Sequence, residues 1–253
     1  MKSNRRPMWP IASVCAVAAT LVGCSGGVGI PLGIDRTFTG PAQNIGSGVA
    51  RSFVTLSSAG NPTAIGLTFT QQALSNLPIA PDTMFLLPLP SQGAATVFNH
   101  ISLDWESQGH VPVPIFGTPH FDMHFYLISQ AERNTIGFAP DEPAPAPAAI
   151  PSGYVSTHTV VPQMGQHWID PTDPNTTPGN FQHTLIYGFH SEKMVFVEPM
   201  ITRAFLLTKA DFSGAIKQPT VYPKPGFYPT HYSVKFNPGD QTYTVTLDQL
   251  VQR

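Results

Sequence analysis

Cysteine is nearly absent from this sequence. The 253 residues include only Cys15 and Cys24, both near the amino terminus. The chain after Cys24 therefore has no thiol, which excludes a disulfide, a cysteine nucleophile and a cysteine-based zinc site within that region. A transition-metal site there must use histidine, carboxylate or methionine side chains.

Charged residues are also scarce. They make up 11% of the chain, whereas about 25% is typical of soluble domains. The 13 basic and 15 acidic residues form no basic cluster. Binding to nucleic acid requires clustered lysine and arginine side chains that neutralise phosphates. Nucleic acid is therefore not among the expected partners.

The amino terminus has the organisation of a cleaved export signal. Three basic residues precede an apolar run at 11–22, which is shorter than a membrane-spanning helix, since such a helix needs about 20 apolar residues. The segment ends in Leu21-Val22-Gly23-Cys24, which resembles the lipobox of bacterial lipoproteins. The resemblance implies that residues 1–23 are removed as a signal peptide and that Cys24 is lipidated.

The predicted location follows from this signal. We expect an exported protein that is anchored to the cell envelope, with membrane lipid as its partner through Cys24. Ser25, and not an aspartate, follows the cysteine, which indicates the outer membrane if the host has two membranes. The alternative is a soluble secreted protein in which Cys24 follows the cleavage site by chance.

Proline and glycine are abundant, with 27 and 21 residues. They divide the chain into short segments and disfavour long helices. Segments with alternating or β-branched apolar residues recur between turn signals. The sequence therefore predicts a mainly β fold, a single β-sandwich or barrel-like domain with one to three short helices.

Composition also predicts the boundaries of this domain. Residues 24–48 begin with a Gly/Ser-rich stretch that is typical of a flexible tether, so the single β-rich domain is expected over 49–253. Residues 138–153, in which prolines alternate with alanines, are interpreted as an extended loop inside the domain. Short helices are predicted at 129–136, from the capping-box pattern of Ser129 and Glu132, and within 202–212.

Nine strands are predicted from the apolar patterns, and a turn at 237–240 joins the last two. The predicted strands lie at 52–56, 64–70, 83–87, 97–105, 120–128, 181–189, 193–198, 231–236 and 241–247.

The strongest candidate for chemistry is the segment from His120 to Tyr126. Side chains alternate between the two faces of a strand, so His120, Asp122 and His124 share one face with Tyr126. Residues two positions apart lie about 6.5–7 Å from each other, and residues four apart lie about twice that distance. Neighbours on this face can therefore share one ion, and the remaining ligands must come from elsewhere.

The expected additional ligands are His110, His167 and Glu198, each close to a glycine or proline in the sequence. Imidazole and carboxylate ligands suit Zn, Mn, Fe, Ni or Cu. Three protein ligands and one water would form a Lewis-acid or hydroxide-generating centre. The alternative without a metal is that Asp122 orients a histidine and that Glu198 pairs with Arg203.

Three classes of function stay open at this point. The first is a metal-dependent enzyme or metal-binding protein, and the second is a non-catalytic structural or interaction module that forms a homo-oligomer. The third is a binder of a small apolar ligand, lined by Trp105, Trp168, Tyr126 and Phe125. The other five histidines are expected to be surface or packed residues: His100, His158, His183, His190 and His231.

Several blocks of the chain resemble an uncharacterised family of exported bacterial proteins, defined only as a domain of unknown function. The resemblance covers residues 53–250, and its most specific block is the Pro-His-Phe-Asp-Met-His-Phe-Tyr segment at 119–126. It implies a common site but no particular activity. The other blocks are Leu103-Asp104-Trp105, Gly109-His110, Met164-Gly165-Gln166-His167-Trp168, Glu198-Pro199-Met200-Ile201-Thr202 and the segment 228–234.

A looser analogy is to cupins. These are β-barrels whose metal is bound by His-x-His on a strand, by a glutamate and by a distant histidine. Here Asp122-Met123-His124 stands in place of His-x-His, and Glu198 follows much later in the chain. The analogy is consistent with a metal-binding β fold, and it departs from the cupin pattern at the first ligand.

Overall fold

Short strands joined by turns form most of the chain. The computed structural model describes Met1, residues 33–79 and residues 83–253. The predicted signal peptide, apart from Met1, and the predicted lipidation site Cys24 lie outside the described residues.

Sixteen strands lie in the described part of the chain. They are β1 (Arg36–Thr39), β2 (Gln43–Ile45), β3 (Gly48–Leu56), β4 (Pro62–Thr70), β5 (Thr83–Pro88), β6 (His100–Glu106), β7 (His120–Tyr126), β8 (Val155–Val161), β9 (Gly165–Ile169), β10 (His183–His190), β11 (Lys193–Thr202), β12 (Phe212–Ala215), β13 (Phe227–Tyr228), β14 (His231–Asn237), β15 (Thr242–Asp248) and β16 (Val251–Gln252).

The strands form two antiparallel seven-stranded sheets. The first has the order β1-β3-β4-β15-β14-β12, with β2 also paired to β3, and the second has the order β5-β6-β7-β11-β10-β9-β8. Strands β13 and β16 form a separate pair. Neither large sheet closes on itself over the described residues. The predicted mainly β sandwich is confirmed, and the barrel-like form is not the one adopted.

The hydrophobic core lies between the two sheets. Phe69 of β4 and Phe121 of β7 belong to different sheets, and their ring centroids are 6.2 Å apart. Leu247 of the first sheet and Met123 of the second are fully buried in the same cluster. Each large apolar side chain buried in this way stabilises the fold by about 1.5–3 kcal/mol.

Three short helices connect the strands in the described residues: α1 (Val113–Phe116), α2 (Gln130–Arg133) and α3 (Arg203–Thr208). The capping box predicted for α2 is confirmed, because Ser129 and Glu132 each accept a hydrogen bond from the other's backbone N–H. The helix predicted within 202–212 is α3, whereas α1 was not expected from the sequence. None of these helices is long and apolar enough to cross a membrane.

The first sheet begins earlier than the sequence predicts. Strands β1 and β2 and the first residue of β3 lie within residues 24–48, the predicted tether. Strand β1 pairs with β3 from Arg36↔Leu56 to Thr39↔Phe53, and Ile45 of β2 is buried. The long strand β3 supplies the partners that these short strands lack alone, so the sheet extends back to Arg36.

Two connecting segments predicted from the sequence lie among the later strands. The predicted turn at 237–240 joins β14 and β15, which pair up to Asn237↔Thr242. The proline-rich residues 138–153 form a loop with one 3-10 turn at Pro147–Ala149 and an isolated bridge between Ala139 and Val160.

The outer face of the second sheet, directed away from the first sheet, is polar and yet buried. Loops cover it on several sides. The His110 ring packs against His120 of β7. Arg133 of α2 lies over the ring of Tyr126, whose hydroxyl donates to the carbonyl of Gln163. This covered outer face carries the candidate site.

An ion pair connects the two sheets near their edges. Asp170 follows β9 and Lys217 follows β12; Lys217 Nζ lies 2.6 Å from Asp170 Oδ2. The backbone N–H and the hydroxyl of Thr172 donate to Asp170 Oδ1. Burial raises the pKa of Asp170, but the bonds from Lys217 and Thr172 outweigh it and hold the pKa below its ordinary value.

We expect Asp170→Asn to lower the free energy of unfolding by about 1 kcal/mol at neutral pH, because the ion pair with the partly exposed Lys217 is lost while the amide oxygen can still accept from Thr172. A carboxylate whose pKa is depressed in the folded state stabilises the fold above its unfolded-state pKa. This contribution disappears as the pH falls through the folded-state pKa. The difference between variant and wild type in urea denaturation should therefore shrink below about pH 4.

The exposed Glu192 provides a matched control for this experiment, and Glu192→Gln should leave the free energy of unfolding unchanged. A difference for Asp170→Asn that keeps its size in acid would contradict the role of the ion pair.

Candidate metal centre

Two neighbouring strands present a row of polar side chains on the outer face. Strands β6 and β7 are antiparallel neighbours, and their register places chemically active residues opposite each other. Because alternate side chains share a face, these residues form a continuous polar surface. The opposed pairs are His100 and Tyr126, Ser102 and His124, Asp104 and Asp122, and Glu106 and His120.

Strands β11 and β9 bring the distant ligands to the same face. The pairs Val197↔Phe125 and Met200↔Asp122 set a register that places Glu198 opposite His124. His167 of β9 pairs with Gly188 of β10, the next strand beyond β11. The order β7-β11-β10-β9 therefore gathers residues that are far apart in the sequence.

The six predicted ligands fall into two groups. His110, His120 and Asp122 form one group, called the outer cluster here, and His124, His167 and Glu198 form the second, called the inner cluster. Within each group one ligand atom per residue lies within 4.8 Å of the others. His120 and His124 therefore belong to different groups, as expected from the distance between residues four apart on a strand.

In the outer cluster, Asp122 lies between two imidazole rings. Asp122 Oδ1 is 3.0 Å from His120 Nε2, and Oδ2 is 3.3 Å from His110 Nε2. Each Nδ1 lies within hydrogen-bond distance of a backbone carbonyl, that of Thr118 for His120 and that of Val111 for His110. If Nδ1 carries the proton, each Nε2 directs its lone pair at a carboxylate oxygen. Two such atoms repel each other at this distance, so the contact requires a proton or a metal ion between them.

In the inner cluster, Glu198 lies between two imidazole rings. Glu198 Oε1 is 3.4 Å from His124 Nε2, and Oε2 is 3.7 Å from His167 Nε2. His124 Nδ1 lies 2.8 Å from Asp104 Oδ2. The Ser102 hydroxyl donates to this same oxygen at 2.9 Å, so that Asp104 is itself held in place. The predicted alternative pairing of Glu198 with an arginine is therefore not the one observed.

These separations match those between ligands of one ion. Zinc binds nitrogen and oxygen at about 2.0–2.2 Å, so two ligands of a tetrahedral ion lie about 3.3 Å apart. Five buried atoms of the clusters also make no aligned hydrogen bond within the described residues, although each lies close to a potential partner: His120 Nε2, Asp122 Oδ1, His124 Nδ1, His124 Nε2 and Glu198 Oε2. Both clusters therefore have the donor set and spacing that a divalent transition metal requires.

The protonation states differ between the clusters. Burial lowers the pKa of His110, but its hydrogen bond to Asp122 and the Asp122 charge raise the pKa to about 9. Burial raises the pKa of Asp122, whereas the neighbouring His120 and His110 lower it to well below its usual range. In the outer cluster a proton therefore occupies the position between imidazole and carboxylate when no metal ion does.

The inner cluster behaves in the opposite way. Burial and the neighbouring His124 lower the pKa of His167 to about 3. Burial, together with the charges of Asp122 and Asp104, raises the pKa of Glu198 well above its usual range. His167 is therefore already in the neutral form that binds metal, whereas Glu198 must lose a proton when an ion binds.

Sequence reasoning missed the residues that support the ligands. Asp104 and Ser102 alternate on β6 as the ligands do on β7, and this period-2 pattern was the available signal. His100, expected to be a surface or packed histidine, is buried and stacks on Tyr126 with ring centroids 4.8 Å apart.

The other side chains singled out from the sequence lie elsewhere. His158, His183, His190 and His231 belong to neither cluster. Trp105, Trp168 and Phe125 pack in the core between the sheets, whereas Tyr126 belongs to a separate buried cluster with Phe196. Arg203 donates to the backbone carbonyl of Leu74.

One family model matches part of the chain. It is described as TTHB210-like, for the hypothetical protein TTHB210, and it matches residues 57–105. No curated protein and no solved structure matches the chain. The match is consistent with similarity to an uncharacterised family over this stretch, while the predicted resemblance beyond residue 105 stays a prediction. The matched residues include Asp104 but none of the six candidate ligands.

We expect Asp104→Asn to weaken metal binding at the inner cluster by about 10–100-fold, because outer carboxylates orient histidine ligands and raise their basicity. Competition with a chromophoric chelator, with Zn²⁺ as the probe, measures this affinity. Asp248→Asn on the first sheet is the control and should bind as the wild type does. Equal inner-cluster affinities in both variants would show that Asp104 does not support His124.

Proposed function

We propose that this protein is an exported, lipid-anchored metalloprotein that binds two divalent transition-metal ions, one in the outer cluster and one in the inner cluster. The observation that carries the proposal is the duplicated set of two histidines and one carboxylate, with ligand atoms spaced as around one ion.

The buried carboxylates of this face support the presence of bound cations. Asp104, Glu106, Asp122 and Glu198 are between 1% and 6% exposed on the same face. The buried Arg133 nearby directs Nε to the carbonyl of Gln163 and Nη2 to Met84 Sδ. Burying several carboxylates together is costly unless cations accompany them.

The ligand set narrows the identity of the ions and their chemistry. Mixed imidazole and carboxylate ligands favour Zn, Mn, Fe, Ni or Cu over Mg and Ca. Two histidines and one carboxylate also occur in catalytic zinc sites and in iron oxygenases, where positions stay open for water or substrate. The enzymatic activity that fits such a centre is metal-assisted activation of a bound water.

The competing function is a structural module in which protons, and not metal ions, occupy these positions. The raised pKa of His110 favours it, since a proton can bridge His110 and Asp122. Ring packing of His120 on Phe181 and of His124 on Phe196 also fits a packed interior. Metal analysis separates the two functions.

We expect two tightly bound ions per chain when the full-length protein, purified in detergent without a histidine tag or chelator, is analysed for metals. His124→Ala removes one inner ligand and should reduce the content to one ion, because a site with two remaining ligands binds far more weakly. His120→Ala should have the same effect on the outer cluster.

His158→Asn is the control, since His158 is exposed and belongs to neither cluster, and asparagine tolerates its positive φ. This variant should keep two ions. A wild-type protein that binds no metal, even after incubation with Zn²⁺, Mn²⁺, Ni²⁺ or Cu²⁺, would contradict the proposed function and favour the structural module.

The anchoring has its own test. Cys24→Ser should abolish labelling by radioactive fatty acid and leave an uncleaved precursor, because the acceptor thiol is lost. Cys15→Ser changes the other cysteine of the chain and should leave labelling and membrane fractionation unchanged. Labelling that persists in Cys24→Ser would contradict lipid attachment at this residue.

A further inference from the structure

The two clusters differ in their access to solvent. The side chain of His110 is 32% exposed, whereas those of His120 and Asp122 are 0% and 5% exposed. In the inner cluster the side chains of His124 and Glu198 are each 1% exposed, and that of His167 is 14% exposed. Solvent therefore reaches the outer cluster along one edge, the His110 ring.

An aromatic ring closes the inner cluster. Phe196 lies edge-on to His124, with ring centroids 4.7 Å apart, and lies 5.2 Å from the ring of His167. Gly188 makes room for this ring, because a Cβ at position 188 would lie 2.0 Å from a Phe196 carbon. The three inner ligands all belong to strands, so both the ligands and their cover are rigid.

The outer cluster has a different construction. His110 lies in the connection between β6 and β7, directly after Gly109, which has a φ of +67°. The His110 backbone N–H donates to the carbonyl of Phe116. The ring of Phe181 packs 5.1 Å from that of His120. Phe181 therefore covers the His120 side of the cluster, whereas the His110 ring contacts Phe116 on one side and keeps an exposed edge on another.

On the basis of the two-ion function proposed above, we propose that the outer ion keeps one exchangeable coordination position, open at the His110 edge, for a small oxygen- or nitrogen-donor molecule from solvent. Three protein ligands leave one position of a tetrahedral ion for such a molecule. The inner ion has the same number of ligands, but Phe196 packs against the rings of His124 and His167 and leaves a smaller exposed edge, at 14% of the His167 side chain. The outer ion is the reactive one, and the inner ion is structural.

Cobalt provides the test, because tetrahedral Co²⁺ absorbs visible light and its spectrum changes when a ligand is exchanged. The full-length protein is loaded with two Co²⁺ ions per chain and titrated with azide. We expect a saturable change in the wild-type spectrum, a similar change in His167→Ala, which keeps the outer ion, and no change in His110→Ala, which keeps the inner ion. Circular dichroism checks that both variants fold.

A second measurement uses exchange kinetics. Transfer of Co²⁺ from the wild type to a chelator should show two phases, with the outer ion released faster because solvent and chelator reach the His110 edge. The fast phase should be lost in His110→Ala and retained in His158→Asn.

Two bound Co²⁺ ions without any azide response, or an azide response that survives in His110→Ala, would overturn the open outer position while leaving the two-ion function intact. A protein that binds no Co²⁺ would overturn both proposals together.

Discussion

The candidate site depends on one constraint: four carboxylates are buried on the outer face of one β-sheet, and their negative charge must be compensated. Removing a carboxylate from water costs several kcal/mol unless opposite charge accompanies it. Asp104, Asp122 and Glu198 all lie within 2.8–3.7 Å of histidine nitrogens. Protons can neutralise these contacts only by forming an imidazolium, as at His110, or a buried neutral carboxyl group, as at Glu198. Divalent ions neutralise them while every imidazole stays neutral, and this is the physical basis of the proposed metal sites.

The sandwich explains how such a face arises. One face of β7 carries Phe121 and Met123 into the core, and strand alternation then directs the residues between them to the other side. If nothing covered the other side of the sheet, the polar side chains that alternate with Phe121 and Met123 would be exposed to water. Here loops and short helices cover it, so that polar residues become buried ligands, each with a fixed neighbour.

The local part of this arrangement could be predicted from sequence, and the long-range part could not. Alternation along β7 placed His120 and His124 on one face, and their spacing indicated that His120, Asp122 and His124 could not all bind one ion in a regular strand. The partners depend on strand order. The pairing of β7 with β11, and the position of β9 beyond β10, decide that Glu198 and His167 join His124. No local pattern encodes these neighbours, and the same is true of the pairing that draws residues 36–45 into the first sheet.

We propose two metal ions side by side on the outer face, one bound through Asp122 and the other through His124. Anomalous diffraction from crystals grown with Zn²⁺ tests this proposal directly. We expect two peaks, one about 2.0–2.2 Å from the nitrogens of His110 and His120 and an oxygen of Asp122, and one at the same distances from His124, His167 and Glu198. The absence of a peak in both clusters, with the side chains positioned as described, would contradict it.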